Sequence, residues 1–155
     1  MLKDTAQIAG ILLFIGAAVS DAKHYVIPNW LTAGIALMAA VSFFRPETDP
    51  VFLAVHFASA LLVLAVGFTL FAWNLFGGGD VKLLAALAFW TGFADLPRLL
   101  LVTTLAGGVL ALGILAWRRL RLATGETIDQ RLPYGIAIAA GGIDFCIRQL
   151  EIFQT

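Results

Sequence analysis

The sequence predicts an all-α protein that crosses a membrane several times, and three observations lead to that prediction. Hydrophobic residues make up 61% of the 155 residues, charged residues make up 13%, and the mean hydropathy is +0.93. Soluble domains carry about 25% charged residues. The apolar residues also fall in long runs separated by short polar or glycine-rich stretches. Because a membrane-spanning helix needs roughly 20 apolar residues, we expect a bundle of six transmembrane helices.

Prolines, glycines and polar turns divide these runs into six predicted helices. Ile27-Pro28 begins the second helix, since proline is tolerated in the first turn. The polar residues 45–50 end it. Gly77-Gly78-Gly79 ends the third helix, because three residues without a Cβ favour non-helical backbone, and Asp95-Leu96-Pro97 ends the fourth. The predicted helices cover about residues 5–20, 28–44, 51–76, 80–94, 98–117 and 133–153.

The predicted fourth helix is short for a membrane span. Residues 80–94 rise about 22 Å as a helix, whereas the hydrocarbon core of a bilayer is roughly 30 Å thick. The two ends of so short a helix cannot both reach the membrane surfaces. We therefore expect Asp80 to lie below the headgroup level, in a site lined by protein or water.

Two aspartates, Asp21 and Asp80, are the candidate functional residues. A charge in so apolar a chain is a functional candidate, because placing it near lipid is costly. The local patterns match, since Ser20-Asp21-Ala22-Lys23 and Gly79-Asp80-Val81-Lys82 each read small residue, Asp, any residue, Lys. A single aspartate at a helix end is more often a cap or an interfacial charge. The repetition favours a functional pair, and six helices put both acids on one side of the membrane.

Two neighbouring carboxylates in a low-dielectric site can perform acid and base chemistry together. They share a proton and titrate as a pair, so one acts as a base while the other acts as an acid. Such a pair can activate a water for attack on an amide and protonate the departing nitrogen, as aspartic proteases do, without a metal. A transporter or channel subunit that uses the two acids as proton or cation sites is the alternative.

The remaining polar residues are weaker candidates. Lys23 and Lys82 could steer a substrate, but snorkelling anchors at the membrane surface fit them better. His56 is expected at the membrane interface, and Asp144 and Arg148 are spaced to form an intrahelical ion pair. The net charge of zero and the lack of a separate basic run give no indication of nucleic-acid binding.

Lysine and arginine positions predict which side the two aspartates face. By the positive-inside rule, the loops that follow the first, third and fifth predicted helices are cytoplasmic. They carry six basic residues against four on the other side, namely Lys23, Lys82, Arg118, Arg119, Arg121 and Arg131 against Lys3, Arg45, Arg98 and Arg148.

Three motifs occur along the chain, namely Asp21-x-Lys23-x-x-x-Ile27-Pro28-Asn29, Gly77-x-Gly79-Asp80-x-Lys82-Leu83 and Leu132-Pro133-Tyr134-Gly135-x-Ala137. They resemble the motifs of the prepilin peptidases, or type IV leader peptidases, and most closely those of the short form associated with Tad or Flp pili. The motifs occur in the family's order, and the similarity covers essentially the whole chain.

This resemblance implies that residues 1–155 form a single membrane-embedded peptidase domain of the GxGD aspartic type. Its substrates would be Flp- or Tad-like prepilins or pseudopilins, cut behind their short basic leader at the cytoplasmic face of the bacterial inner membrane, and pilus assembly machinery would be a further partner. Asp21 and Asp80 would be the catalytic pair. The residues of the substrate site and its loops would be Gly77, Gly78, Gly79, Lys23, Lys82, Pro28 and Asn29.

The resemblance also bears on cofactors. Longer relatives carry paired cysteines that bind zinc, and they methylate the new pilin N-terminus with S-adenosylmethionine. This sequence has only Cys146. We therefore expect no cofactor, no metal and no methyl transfer. A non-catalytic scaffold of the pilus machinery is a further alternative, in which both acids would be replaceable.

Overall fold

The computed structural model describes residues 2–44, 48–122 and 132–151, and these form five helices. No strand occurs among the described residues, so the all-α prediction is confirmed. The helices are α1 (Leu2–His24), α2 (Asn29–Phe43), α3 (Pro50–Ala72), α4 (Gly78–Leu122) and α5 (Tyr134–Glu151).

Local sequence signals account for where the helices begin. At the start of α3, Asp49 is the N-cap, and its carboxylate accepts a hydrogen bond of 2.8 Å from the amide of Val51. Pro50 follows in the first turn, where its missing N–H has no helical partner to lose. Pro28 is the N-cap of α2, as Asp49 is of α3, but its side chain cannot accept a hydrogen bond from that helix. α2 thus begins beside Pro28, as predicted, whereas Pro50, which was predicted to lie in the preceding turn, is the first residue of α3.

Two helix ends differ from the prediction. α1 continues through Asp21 to His24, instead of ending at about residue 20, and the amide of Tyr25 still bonds to the carbonyl of Asp21 at 2.9 Å. Tyr25 then takes a left-handed φ of 53°, a common way to end a helix. α3 stops at Ala72, four residues before the predicted end, and Asn74 takes a φ of 57° just beyond it.

α4 is interrupted at Gly92, whose φ of 63° and ψ of −175° are not helical. The break leaves carbonyl groups without helical partners, and side chains of α3 bond to them. The Ser59 hydroxyl donates to the carbonyl of Ala88 at 2.6 Å, and His56 Nδ1 lies 2.9 Å from the carbonyl of Phe89. His56 Nδ1 must carry the hydrogen in that bond, since a carbonyl only accepts. The predicted interfacial histidine is thus buried, at 9% exposure, and stabilises the break.

The chain reverses direction at this break. Gly79 and Gly135 both lie against Ile27, so α4 and α5 begin at the same end of the bundle. After the break, Gly107 faces Ala137 near the start of α5, which shows that α4 has returned to that end. The first half of α4 is central to the bundle, and its side chains join the largest fully buried residues, which include Leu83, Leu87, Trp90, Phe14, Ile35 and Ile138.

The prediction of six transmembrane helices is not supported. Asp95-Leu96-Pro97 does not end a helix, because helical backbone continues through it and the break falls at Gly92. Among the described residues, three helical segments are long and apolar enough to cross a membrane, and α2 is apolar but shorter. The three segments are Lys3–His24, Pro50–Ala72 and Gly78–Arg119, and the last of these contains the break at Gly92.

Replacing Gly92 with alanine should destabilise the protein. The φ of 63° is strained for any residue with a Cβ, and a Cβ here would lie 2.7 Å from His56 Nε2. Strain of this kind costs about 1–3 kcal/mol. We expect a lower melting temperature in detergent for Gly92→Ala. Gly113→Ala, where a Cβ would meet nothing within 4 Å, is the matched control and should melt no lower than the wild type.

Candidate active site

Asp21 lies on the last turn of α1 and is 5% exposed. Its Oδ2 accepts a hydrogen bond of 2.7 Å from the amide of Gly135, in the first turn of α5. The first amides of a helix have no acceptor within the helix. Pro133, which precedes α5, has no side-chain acceptor to offer them. Asp21 therefore caps α5 from a different helix.

Asp80 lies in the first turn of α4 and is 9% exposed. Its carboxylate lies against Gly77, three residues earlier. This is the position from which an acidic residue in the first turn of a helix can reach back toward the amide at the N-cap. A Cβ on Gly77 would lie 2.6 Å from Asp80 Oδ2. The first glycine of the motif therefore leaves the space that this carboxylate occupies.

Ile27 brings the two aspartates to the same end of the bundle. It follows α1 by three residues and packs against the starts of α4 and α5. A Cβ on Gly79 would lie 3.4 Å from Ile27 Cβ, and one on Gly135 would lie 2.8 Å from Ile27 Cδ1. The structure thus assembles two buried carboxylates from segments far apart in sequence.

The N-termini of two helices face these carboxylates. The first turn of a helix carries a partial positive charge, which stabilises a nearby anion. The amide of Gly135 at the start of α5 donates to Asp21, and Asp80 itself lies in the first turn of α4. Burying a carboxylate is unfavourable unless it is hydrogen-bonded. The two helix starts offset part of that cost, so the site can hold negative charge without a basic side chain at the acids.

The other predicted site residues contact neighbouring helices or are exposed. Lys82 Nζ donates to Asn29 Oδ1 at 3.1 Å, which links α4 to the start of α2. Pro28 is half-buried immediately before that helix, and Gly78 packs against a phenylalanine ring of α3. Lys23 is exposed on the last turn of α1. Among the described residues, no hydrogen bond or ion pair holds Lys23 at the acids.

Four residues of the site were not assigned a role from the sequence. Gly135 supplies the amide that bonds to Asp21, and Ile27 separates the two helix starts. Phe76 and Tyr134 stack with ring centroids 5.8 Å apart and an interplanar angle of 25°, beside the same two helix starts. Gly135 and Tyr134 belong to the third motif, which was the available signal, but their contact with the first two motifs depends on the fold.

The opposite end of the bundle has different chemistry. A cavity of about 510 Å³ opens there, lined in part by Gln7, His56 and Trp90. Trp90 is ten residues from Asp80, about 15 Å along α4. Nearby, Arg148 bonds to both Asp144, as the i,i+4 spacing predicts, and Asp95, each at 3.1 Å. In the described part of the chain, no group of three histidine, cysteine or acidic residues could hold a metal ion.

Comparison with known proteins agrees with the motifs. The model of the type IV leader peptidase family matches residues 8–112. The chain therefore belongs to the type IV leader peptidase family. No solved structure matches it.

Some curated relatives match most of the chain. The prepilin leader peptidase/N-methyltransferase of Legionella pneumophila is 28% identical over an alignment of 155 positions, gaps included, which covers 90% of this chain and 50% of the relative. That of Dickeya chrysanthemi is 29% identical over 135 residues, 84% of this chain and 46% of the relative. The chain spans about half the length of these two relatives. Leader peptidase HopD of Escherichia coli is 32% identical over 144 residues, 85% of this chain and 83% of the relative.

A designed disulfide tests the geometry that joins the two acids. Cysteines at Ile27 and Gly79 would place their Cβ atoms about 3.4 Å apart, near the separation found in disulfides. We expect Ile27→Cys with Gly79→Cys, in a Cys146→Ala background, to lose both free thiols on mild oxidation, measured by maleimide labelling after denaturation.

The control pairs Ile27→Cys with Gly113→Cys, because a Cβ at Gly113 has no neighbour within 4 Å. This pair should keep both thiols. Equal labelling of the two variants would contradict the packing of Ile27 on the start of α4.

Proposed function

We propose that this chain is an aspartic endopeptidase that removes the leader of type IV prepilins. The observation that carries the proposal is the pair of buried aspartates, Asp21 and Asp80, brought together at the starts of α4 and α5. Membership of the leader peptidase family supports the same reaction. The names of the relatives that the chain matches also refer to leader peptidases.

In the proposed mechanism the two aspartates divide the proton transfers. One carboxylate is ionised and takes a proton from a water molecule, whose oxygen attacks the scissile amide carbonyl. The other carboxyl is protonated and gives its proton to the departing nitrogen as the C–N bond breaks. The proton taken from water restores the acid for the next cycle. The reaction needs only a peptide, a water and the two side chains.

The glycines around Asp80 support a peptide substrate. Gly77 is exposed beside Asp80, where a Cβ would lie 2.6 Å from the carboxylate, whereas Gly78 and Gly79 are half-buried. An extended peptide could lie beside Asp80 at this point. Its leader junction would then lie below the headgroup level of the membrane, at the depth expected for Asp80. Lys82 and Asn29, joined by their hydrogen bond, form the rim next to Pro28. We propose Lys23 as a more distant part of this rim, because it is exposed on α1.

We further propose that residues 1–155 work as one peptidase domain in the bacterial inner membrane, with the aspartates toward the cytoplasm. The apolar helices support membrane insertion. The excess of lysine and arginine in segments at the aspartate end supports the orientation, by the positive-inside rule. The Tad- or Flp-type motifs support a Flp-like prepilin or pseudopilin as the substrate and pilus assembly machinery as a partner.

Substitution of either aspartate tests the proposed function. The chain is co-expressed with a Flp-type prepilin, and leader removal is followed by gel mobility and by mass spectrometry of the pilin N-terminus. We expect the wild type to process the prepilin and Asp21→Asn or Asp80→Asn to reduce the rate at least about 10³-fold, because neither amide can transfer the proton.

Asp144→Asn is the matched control. It removes a carboxylate from the same membrane protein at the opposite end, where Asp144 bonds to Arg98 and Arg148. This variant should retain processing within a few-fold of the wild type. Undiminished processing by both active-site variants would exclude the aspartic mechanism. Loss of a proton flux in those variants, with processing unchanged, would favour the transporter.

A further inference from the structure

The contact between Asp21 and Gly135 joins α1 to α5 across 114 residues of sequence. Its two partners are both buried, and the donor is a backbone amide, which every residue except proline supplies. The distance of 2.7 Å is at the short end for an N–H to oxygen bond, as expected when the acceptor is charged. The contact therefore constrains where the carboxylate can point.

The absence of a side chain at Gly135 is required by the same contact. A Cβ there would lie 2.8 Å from Asp21 Oδ2, 2.9 Å from its Cγ and 2.8 Å from Ile27 Cδ1. All three distances are shorter than real Cβ atoms show, so Asp21 or Ile27 would have to move. Ile27 also packs on Gly79, next to Asp80. Any displacement at Gly135 is therefore passed to the geometry between the two acids.

We propose that Gly135 is a positioning residue for Asp21, and that Asp21 in return caps α5. The hydrogen bond between them thus orients the carboxylate of Asp21 and also fixes the start of the helix that carries Gly135. The first half of this inference rests on the proposed peptidase function, whereas the capping half does not. Asp80 differs, because its carboxylate lies against Gly77, at the start of its own helix. Of the two acids, only Asp21 bonds to the backbone of another helix in the part of the chain that the structure describes.

The positioning role is tested with Gly135→Ala in the wild-type background, reconstituted in lipid vesicles with purified prepilin. Alanine forms helix better than glycine, so without the contact the variant would be at least as stable as the wild type. We expect kcat to fall at least about tenfold, since displacements of about 1 Å can cost 10²-fold, while KM changes less than about threefold.

Gly108→Ala is the control for this experiment. Gly108 is also helical, and a Cβ there would meet nothing within 4 Å, so both kinetic constants should match those of the wild type. A Gly135→Ala enzyme with kcat within twofold of the wild type would overturn the positioning role. So would an effect confined to KM.

The capping role is tested by melting temperature, which needs no activity. Asp21→Asn keeps a side-chain oxygen that can accept the hydrogen bond from Gly135, whereas Asp21→Ala does not. Loss of an N-cap should lower the melting temperature of Asp21→Ala by about 3 °C or more relative to Asp21→Asn. Equal melting temperatures of Asp21→Ala and Asp21→Asn would overturn the capping role. Because this comparison does not use Gly135→Ala, it is decisive even if that variant does not fold.

These measurements separate the inference from the proposed function. If the wild type does not cleave prepilin, the peptidase proposal fails, but the comparison of Asp21→Ala with Asp21→Asn still decides the capping role. If the wild type cleaves and Gly135→Ala cleaves equally well, the peptidase proposal stands and the positioning role fails.

Discussion

The burial of two carboxylates in a largely apolar bundle is the constraint on which the rest of the site depends. Asp21 and Asp80 are each less than 10% exposed, and neither has an arginine or lysine as a hydrogen-bond partner among the described contacts. The amide of Gly135 at the start of α5 bonds to Asp21 instead, and Asp80 lies in the first turn of α4. This solution leaves the acids free of a fixed counter-ion, which a proton-transferring pair requires, because a bound cation would hold both carboxylates in the ionised form.

Glycines make this arrangement possible through the space they leave. Gly77 leaves room for the carboxylate of Asp80, Gly79 lets α4 approach Ile27, and Gly135 lets α5 approach Asp21. At each position a Cβ would meet a neighbouring atom of the site. The three glycines lie in two motifs far apart in the sequence, yet they serve one purpose, which is to bring three chain segments together around two side chains.

The opposite end of the bundle stabilises the fold by other means. There Gly92 breaks α4 and reverses the chain, and Ser59 and His56 of α3 bond to the carbonyls that the break releases. The reversal returns the second half of α4 alongside α5, which fixes the position of the first turn of α5. The placement of the amide that bonds to Asp21 therefore depends on a backbone break in α4, at the opposite end of the bundle.

The sequence by itself determined the helical class, the apolar segments and the choice of Asp21 and Asp80 as candidates, because composition and local motifs carry that information. It could not determine the break in α4. The proline at Asp95-Leu96-Pro97 is the stronger local signal, but Gly92 is held by side chains of α3, a contact that exists only in the fold. It also could not assign Gly135, because a glycine near a helix start acquires its role only when a carboxylate 114 residues away comes within hydrogen-bond distance. Tertiary packing alone decided which amide orients Asp21.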